Sequence, residues 1–161
     1  MAGSKIYRIL CKEIQMNTLS GKTIGLIGLG LMGRPMSINL LKAGARLIVT
    51  NRSPGPRLEL AKQGATAVET PAEVAGMADI LICIVSDTSA VESTLFADNG
   101  VLQSLRAQTL FIDMGTTAMK ATKTFAQAVA EKGGHYVDAP VSGGTIGAEQ
   151  GNLTIMAGGL D

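Results

Sequence analysis

The sequence predicts an α/β fold, a doubly wound and mostly parallel sheet with helices on both faces. Three observations carry that prediction. Short β-branched or leucine-rich runs alternate with helix-length amphipathic segments from Lys22 onward. A glycine-rich turn joins the first run to the first such segment. The chain has 161 residues, 46% of them hydrophobic, enough for one domain with a substantial core and too few for two ordinary ones.

Taken in order, the runs Thr23–Ile27, Arg46–Thr50, Ala65–Val68, Ile80–Val85, Thr109–Asp113, His135–Asp138 and Leu153–Met156 are expected as strands. Between the first two, Met32, Met36, Leu40 and Leu41 recur at about one helical turn, and Gly44 stands where a glycine would stop the helix. A second helix is expected from Thr117 to Gly133, with Phe125 and Val129 on its apolar side and lysines opposite. Residues 1–20 mix Lys5, Arg8, Lys12 and Glu13 with Ile6, Ile9, Leu10 and Ile14, and read as a leader ahead of a domain over 21–161.

The charge balance excludes some partners. Lys plus Arg total 14 against 13 acidic residues, so nothing global attracts nucleic acid. Residues 1–20 contain neither a signal-peptide hydrophobic block nor a membrane-length run, so no membrane partner is expected. Cys11 and Cys83 form no metal or redox spacing, and Cys83 sits in an apolar run as a reduced core residue, which fits a cytoplasmic location. The lone histidine, His135, has no cluster of ligands around it, so no metal site is expected.

The first run leads straight into Gly28-Leu29-Gly30-Leu31-Met32-Gly33, a G-x-G-x-x-G between strand and helix. In that setting the pattern marks a Rossmann-type dinucleotide site. Gly28 permits the tight turn, Gly30 lets backbone approach a pyrophosphate, Gly33 lets helix and strand pack closely, and the helix N-terminus offers unpaired N–H groups to the phosphates. About 20 residues past the middle glycine, the end of the second strand selects the cofactor. Asn51-Arg52-Ser53 stands there, with no carboxylate to bind a ribose 2′-hydroxyl and a guanidinium to pair with a 2′-phosphate. NADP(H) is therefore expected over NAD(H), which remains admissible. Arg57, one turn on, is either a helper or plain surface.

Ligands of such sheets sit at the carboxyl ends of the strands. Those ends read Val85-Ser-Asp-Thr88, Asp113-Met-Gly-Thr-Thr117 and Asp138-Ala-Pro-Val-Ser-Gly-Gly-Thr145. Thr116 and Thr117 suit either ligand contact or the cap of the following helix. Ser142-Gly143-Gly144 offers a hydroxyl and successive N–H groups, fit for a carboxylate, or else is a glycine-rich connection.

These segments, in this order and spacing over about residues 22–160, resemble the β-hydroxyacid dehydrogenase family, which includes 3-hydroxyisobutyrate dehydrogenase, tartronate semialdehyde reductase and the glyoxylate/succinic semialdehyde reductases. Asp138-Ala-Pro-Val-Ser-Gly-Gly144 is the most specific piece. The resemblance implies that Leu29, Gly30, Leu31 and Met32 line the pyrophosphate and that Asn51, Arg52 and Ser53 hold the adenosine phosphate. It further implies that Val85 and Ser86 flank the cofactor, that Thr116 meets the nicotinamide side, and that Ser142, Gly143 and Gly144 receive the carboxylate of a small substrate. Gly115 departs from the serine that many members carry.

The resemblance also implies a catalytic lysine on a later helix and a helical C-terminal domain, and neither is found here. The chain alone is therefore expected to be inactive, with no catalytic residue named. Two other enzyme readings stay open, a 6-phosphogluconate dehydrogenase-like and an imine-reductase-like cofactor domain. A different class is a non-catalytic nucleotide-binding module. A homo-oligomer is compatible with all of them.

Overall fold

A computed structural model describes residues 21–159, so the expected leader lies outside the described residues. Strand β1 (Thr23–Ile27) leads through the glycine turn into α1 (Gly33–Lys42), and β2 (Arg46–Thr50) completes the first βαβ unit. There follow α2 (Pro54–Ala61), β3 (Thr66–Ala67), α3 (Pro71–Met77), β4 (Ile80–Cys83), α4 (Thr88–Phe96) and a 3-10 turn at Val101–Gln103. Then come β5 (Leu110–Asp113), α5 (Met119–Glu131), β6 (His135–Asp138), β7 (Val141–Ser142), α6 (Gly144–Gln150) and β8 (Thr154–Ile155).

Six strands form one parallel sheet in the order β3-β2-β1-β4-β5-β6. The expected Rossmann-type, doubly wound architecture is thus observed. The order reverses between β1 and β4, and at such a reversal the loops leaving the two strands part and open a crevice.

Successive strand residues feed opposite faces. Leu26, Leu47, Val49 and Ile82 join Leu60 of α2 in one core. Ile27, Ile48, Leu81, Cys83 and Phe111 join Val74, Leu95, Phe125 and Val129 of α3, α4 and α5 in the other. Both faces are covered, which is why the strands read as apolar runs. Gly25 brings α3 close: a Cβ there would lie 2.3 Å from Val74 Cγ1.

Several expected boundaries move. The third strand shortens to Thr66–Ala67, because the Ala65 N–H closes the preceding turn on the Leu60 carbonyl at 3.1 Å. The fourth ends at Cys83 rather than Val85. The last run does not join the parallel sheet: Thr154–Ile155 pairs antiparallel with Val141–Ser142 in a separate ribbon. Pro140, which has no N–H to offer a ladder, stands where the chain leaves β6. The returning chain then bonds back at Pro140 through Met156 N–H (3.0 Å) and at Asp138 through Gly158.

The expected helix over Thr117–Gly133 starts at Met119, and its N-cap, Ala118, makes no side-chain cap. Neither Thr116 nor Thr117 caps it, since the Thr117 hydroxyl donates instead to Asp113 Oδ2 at 2.6 Å.

Candidate functional site

Gly28 has φ +98°, and a Cβ on it would lie 2.2 Å from the Ile84 carbonyl oxygen. A Cβ on Gly33 would lie 1.9 Å from the Gly28 carbonyl oxygen. These two glycines are demanded by the chain's own packing. Gly30 differs: among the described residues a Cβ there meets nothing within 4 Å, and its φ is not in the left-handed range. The space beside Gly30 is open to a ligand.

The N–H of Gly28 bonds to the Thr50 carbonyl at 3.2 Å, and that of Leu29 to Asn51 Oδ1 at 3.0 Å. The N–H groups of Gly30, Leu31, Met32 and Gly33 donate no hydrogen bond among the described residues. Together with the α1 dipole they form a donor set suited to a pyrophosphate. The turn therefore fits the cofactor that its sequence pattern implies.

A cleft of about 950 Å³ opens from this turn. It brings together Gly28, Gly30, Leu31, Met32 and Gly33 of the turn, Asn51 and Arg52 after β2, and Val85 and Ser86 after β4. Leu29 is buried and faces the core, with its N–H already paired. Ser53 is exposed as the N-cap of α2. Thr116, Ser142, Gly143 and Gly144 are exposed and do not line this cleft. Ser142 belongs to β7, while Gly143 and Gly144, at φ +131° and +60°, open α6.

The cleft also runs on to Glu69, Pro71, Ser93, Ala97 and Asn99, which sequence reasoning missed. Their only signal was placement, at the end of β3 and on α4 with its following loop.

The Asn51 side chain is engaged at both ends. Its Oδ1 accepts from Leu29 and its Nδ2 donates to the Ser53 carbonyl at 3.1 Å. That ties the end of β2 to the glycine turn. Among the described residues lining the cleft, Arg52 is the one cation, and it is exposed. Arg57 is neither a cleft residue nor plain surface, for it donates to the Val68 carbonyl and to Glu69, whose carboxylate it approaches at 3.3 Å. Across the cleft, Asp87 caps α4 through the Ala90 N–H at 2.9 Å and accepts from the Ser86 hydroxyl at 2.8 Å. Those bonds, the Ala90 one foremost, hold its carboxyl below the usual range.

Residues 23–161 match the family described as the NAD binding domain of 6-phosphogluconate dehydrogenase. The chain belongs to that family. Several relatives within this NAD(P)-binding family are named as hydroxyacid dehydrogenases or reductases, in keeping with the resemblance drawn from the sequence. The chain is 49% identical over 137 residues to the 2-hydroxy-3-oxopropionate reductase of Escherichia coli (strain K12), covering 84% of this chain and 46% of the relative. Among solved structures, it is similar to the Mycobacterium tuberculosis 3-hydroxyisobutyrate dehydrogenase with L-serine. There the TM-score is 0.80 at 33% identity, over 87% of this chain and 47% of that one. It is equally similar to Psf3 in complex with NADP+ and 2-OPP, at TM-score 0.81 and 30% identity, over 86% of this chain and 49% of that one. The chain spans about half the length of the curated relatives it matches.

Proposed function

We propose that the chain binds NADP(H) as the cofactor domain of an oxidoreductase that interconverts a small β-hydroxyacid and its semialdehyde or keto acid. The observation that carries the reading is the glycine turn, where Gly30 leaves space that no described residue fills, beside N–H groups that are unpaired among the described residues. When bound, the nicotinamide supplies hydride chemistry. The residues here bind and orient it: the turn takes the pyrophosphate, Asn51 braces the turn, and Arg52 pairs with the 2′-phosphate.

No acidic side chain follows β2 to reject that phosphate, and Glu69 across the cleft is met by Arg57. The class of substrate is supported by the names of the similar relatives. Ser142, Gly143 and Gly144 would receive its carboxylate, at the carboxyl edge of the sheet where ligands of this fold gather. No lysine, histidine or cysteine lines the cleft among the described residues, so these residues by themselves are expected to bind without turnover.

Calorimetric titration of the chain with NADPH and NADH tests the cofactor preference. NADPH is expected to bind at least about tenfold tighter, the effect of one charge-assisted pair, and Arg52→Asp to abolish or reverse the difference. Equal affinities for the two nucleotides in the unsubstituted chain would refute it.

A further inference from the structure

Asp113, the last residue of β5, is fully buried and does not line the cleft. Its carboxylate accepts three hydrogen bonds. Oδ1 takes the Gly115 N–H at 3.0 Å, and Oδ2 takes the hydroxyls of Thr117 at 2.6 Å and Tyr136 at 2.8 Å. The Tyr136 ring stacks on Phe111 with centroids 5.4 Å apart, which fixes its hydroxyl in place. Burial, then the bond to Asp113, pushes the phenol pKa up, so the hydroxyl stays a donor.

A carboxylate is costly to bury, and an apolar side chain at this strand end would be cheaper unless the three bonds serve a purpose. Two of the donors, Gly115 and Thr117, flank Thr116. The same short segment is tied at its ends by Met114 N–H to the Cys83 carbonyl at 2.8 Å and by Ala118 N–H to Thr88 Oγ1 at 3.0 Å. Gly115 is pressed in place, for a Cβ on it would lie 3.2 Å from Asp113 Oδ1 and 3.5 Å from the carbonyl oxygen of Val85, a cleft residue. Of Gly115, Thr116 and Thr117, Thr116 alone is exposed, and it makes no hydrogen bond among the described residues.

We propose that Asp113, with Tyr136 and Thr117, is a positioning residue that fixes the Gly115–Thr117 turn and so presents Thr116 to the nicotinamide end of the cofactor. The proposal rests on the cofactor reading above: with the adenosine end at Asn51 and Arg52 after β2 and the pyrophosphate at the turn after β1, the nicotinamide half falls across the strand-order reversal, on the β4 and β5 side where this turn leaves β5. It makes the buried carboxylate an anchor for a ligand-facing turn rather than a stabiliser of the sheet.

The test compares NADPH with 2′-phospho-ADP-ribose, which has every part of the cofactor except the nicotinamide, by calorimetric titration of the full chain and of Thr117→Val, Thr117→Ser and Tyr136→Phe. The unsubstituted chain should bind NADPH the more tightly. Thr117→Val and Tyr136→Phe should lower NADPH affinity about fivefold, the effect of one misplaced hydrogen bond, and leave 2′-phospho-ADP-ribose unchanged. Thr117→Ser, which restores the hydroxyl, should bind like the unsubstituted chain. A purely structural role would weaken both ligands together, and that result overturns the proposal. So does a chain that binds the two ligands equally, or variants that change neither. Failure of the unsubstituted chain to bind either ligand overturns the cofactor reading itself, and this proposal with it.

Discussion

Gly28 and Gly30 stand two residues apart in one turn and answer to different constraints. Replacing Gly28 with alanine forces a Cβ to 2.2 Å from the Ile84 carbonyl oxygen at a backbone angle that side chains rarely adopt. We expect a loss of roughly 2–4 kcal/mol. Gly30→Ala meets no neighbour among the described residues, so stability should stay within about 0.5 kcal/mol while NADPH affinity falls. Thermal melts beside nucleotide titrations of the two variants check both halves of this contrast. The glycines were legible in the sequence because their spacing follows from local backbone geometry. The engagement of Asn51 was not, since its partner Leu29 lies 22 residues away and the pairing depends on how β1 and β2 align.

Among the elements, α1 and its flanking strands were readable because apolar periodicity and Gly44 mark them. Helix α6 was not. Gly144 and Gly147 make it a poor helix by propensity, and what steadies it comes from α1, where Asn39 Nδ2 donates to the Ala148 carbonyl at 2.8 Å. Helix α3 is set by a capping box between Thr70 and Glu73. Thr70→Ala should cost about 1 kcal/mol, read as a lower denaturation midpoint.

The same caps set the acid limit of the fold. Glu73 is held below the usual carboxylate range by the Thr70 backbone and hydroxyl, Asp79 by the Thr23 N–H and then Arg106, and Asp87 by the Ala90 N–H and then Ser86. Lowered carboxylates contribute stability that is present above their unfolded pKa and lost as pH falls through the folded one. The melting temperature should therefore drop below about pH 4.5, less steeply in Glu73→Gln. Asp138 has the opposite sign, since burial first and the charge of Asp113 second push its carboxyl up. Its favourable contribution exists at low pH and is lost as pH rises through the folded value. Asp138→Asn should thus melt higher than the parent at pH 7, with the gap closing toward acid, as a pH series of melts would show.

At the scale of the molecule, the reversal of strand order between β1 and β4 creates the cleft, and the glycine turn, Asn51 and Arg52 proposed to hold the cofactor all line it. A ligand that binds only the folded chain stabilises it by mass action. NADPH at a hundred times its Kd should add about 2.7 kcal/mol and raise the melting temperature by roughly 5–10 °C. A melt unchanged by NADPH would count against the cleft as its site.

The sequence by itself determined the alternation of strands and helices, the glycine turn and the missing acid after the second strand. Each is written in neighbouring residues, through backbone sterics and side-chain periodicity. Only the tertiary structure decided that Arg57 serves Glu69 and Val68, that the last run pairs with Val141–Ser142, and that Asp113 gathers Thr117 and Tyr136. Those outcomes depend on which distant segments meet at the carboxyl edge of the sheet, where hydrogen-bond geometry selects among partners that the chain order leaves equivalent.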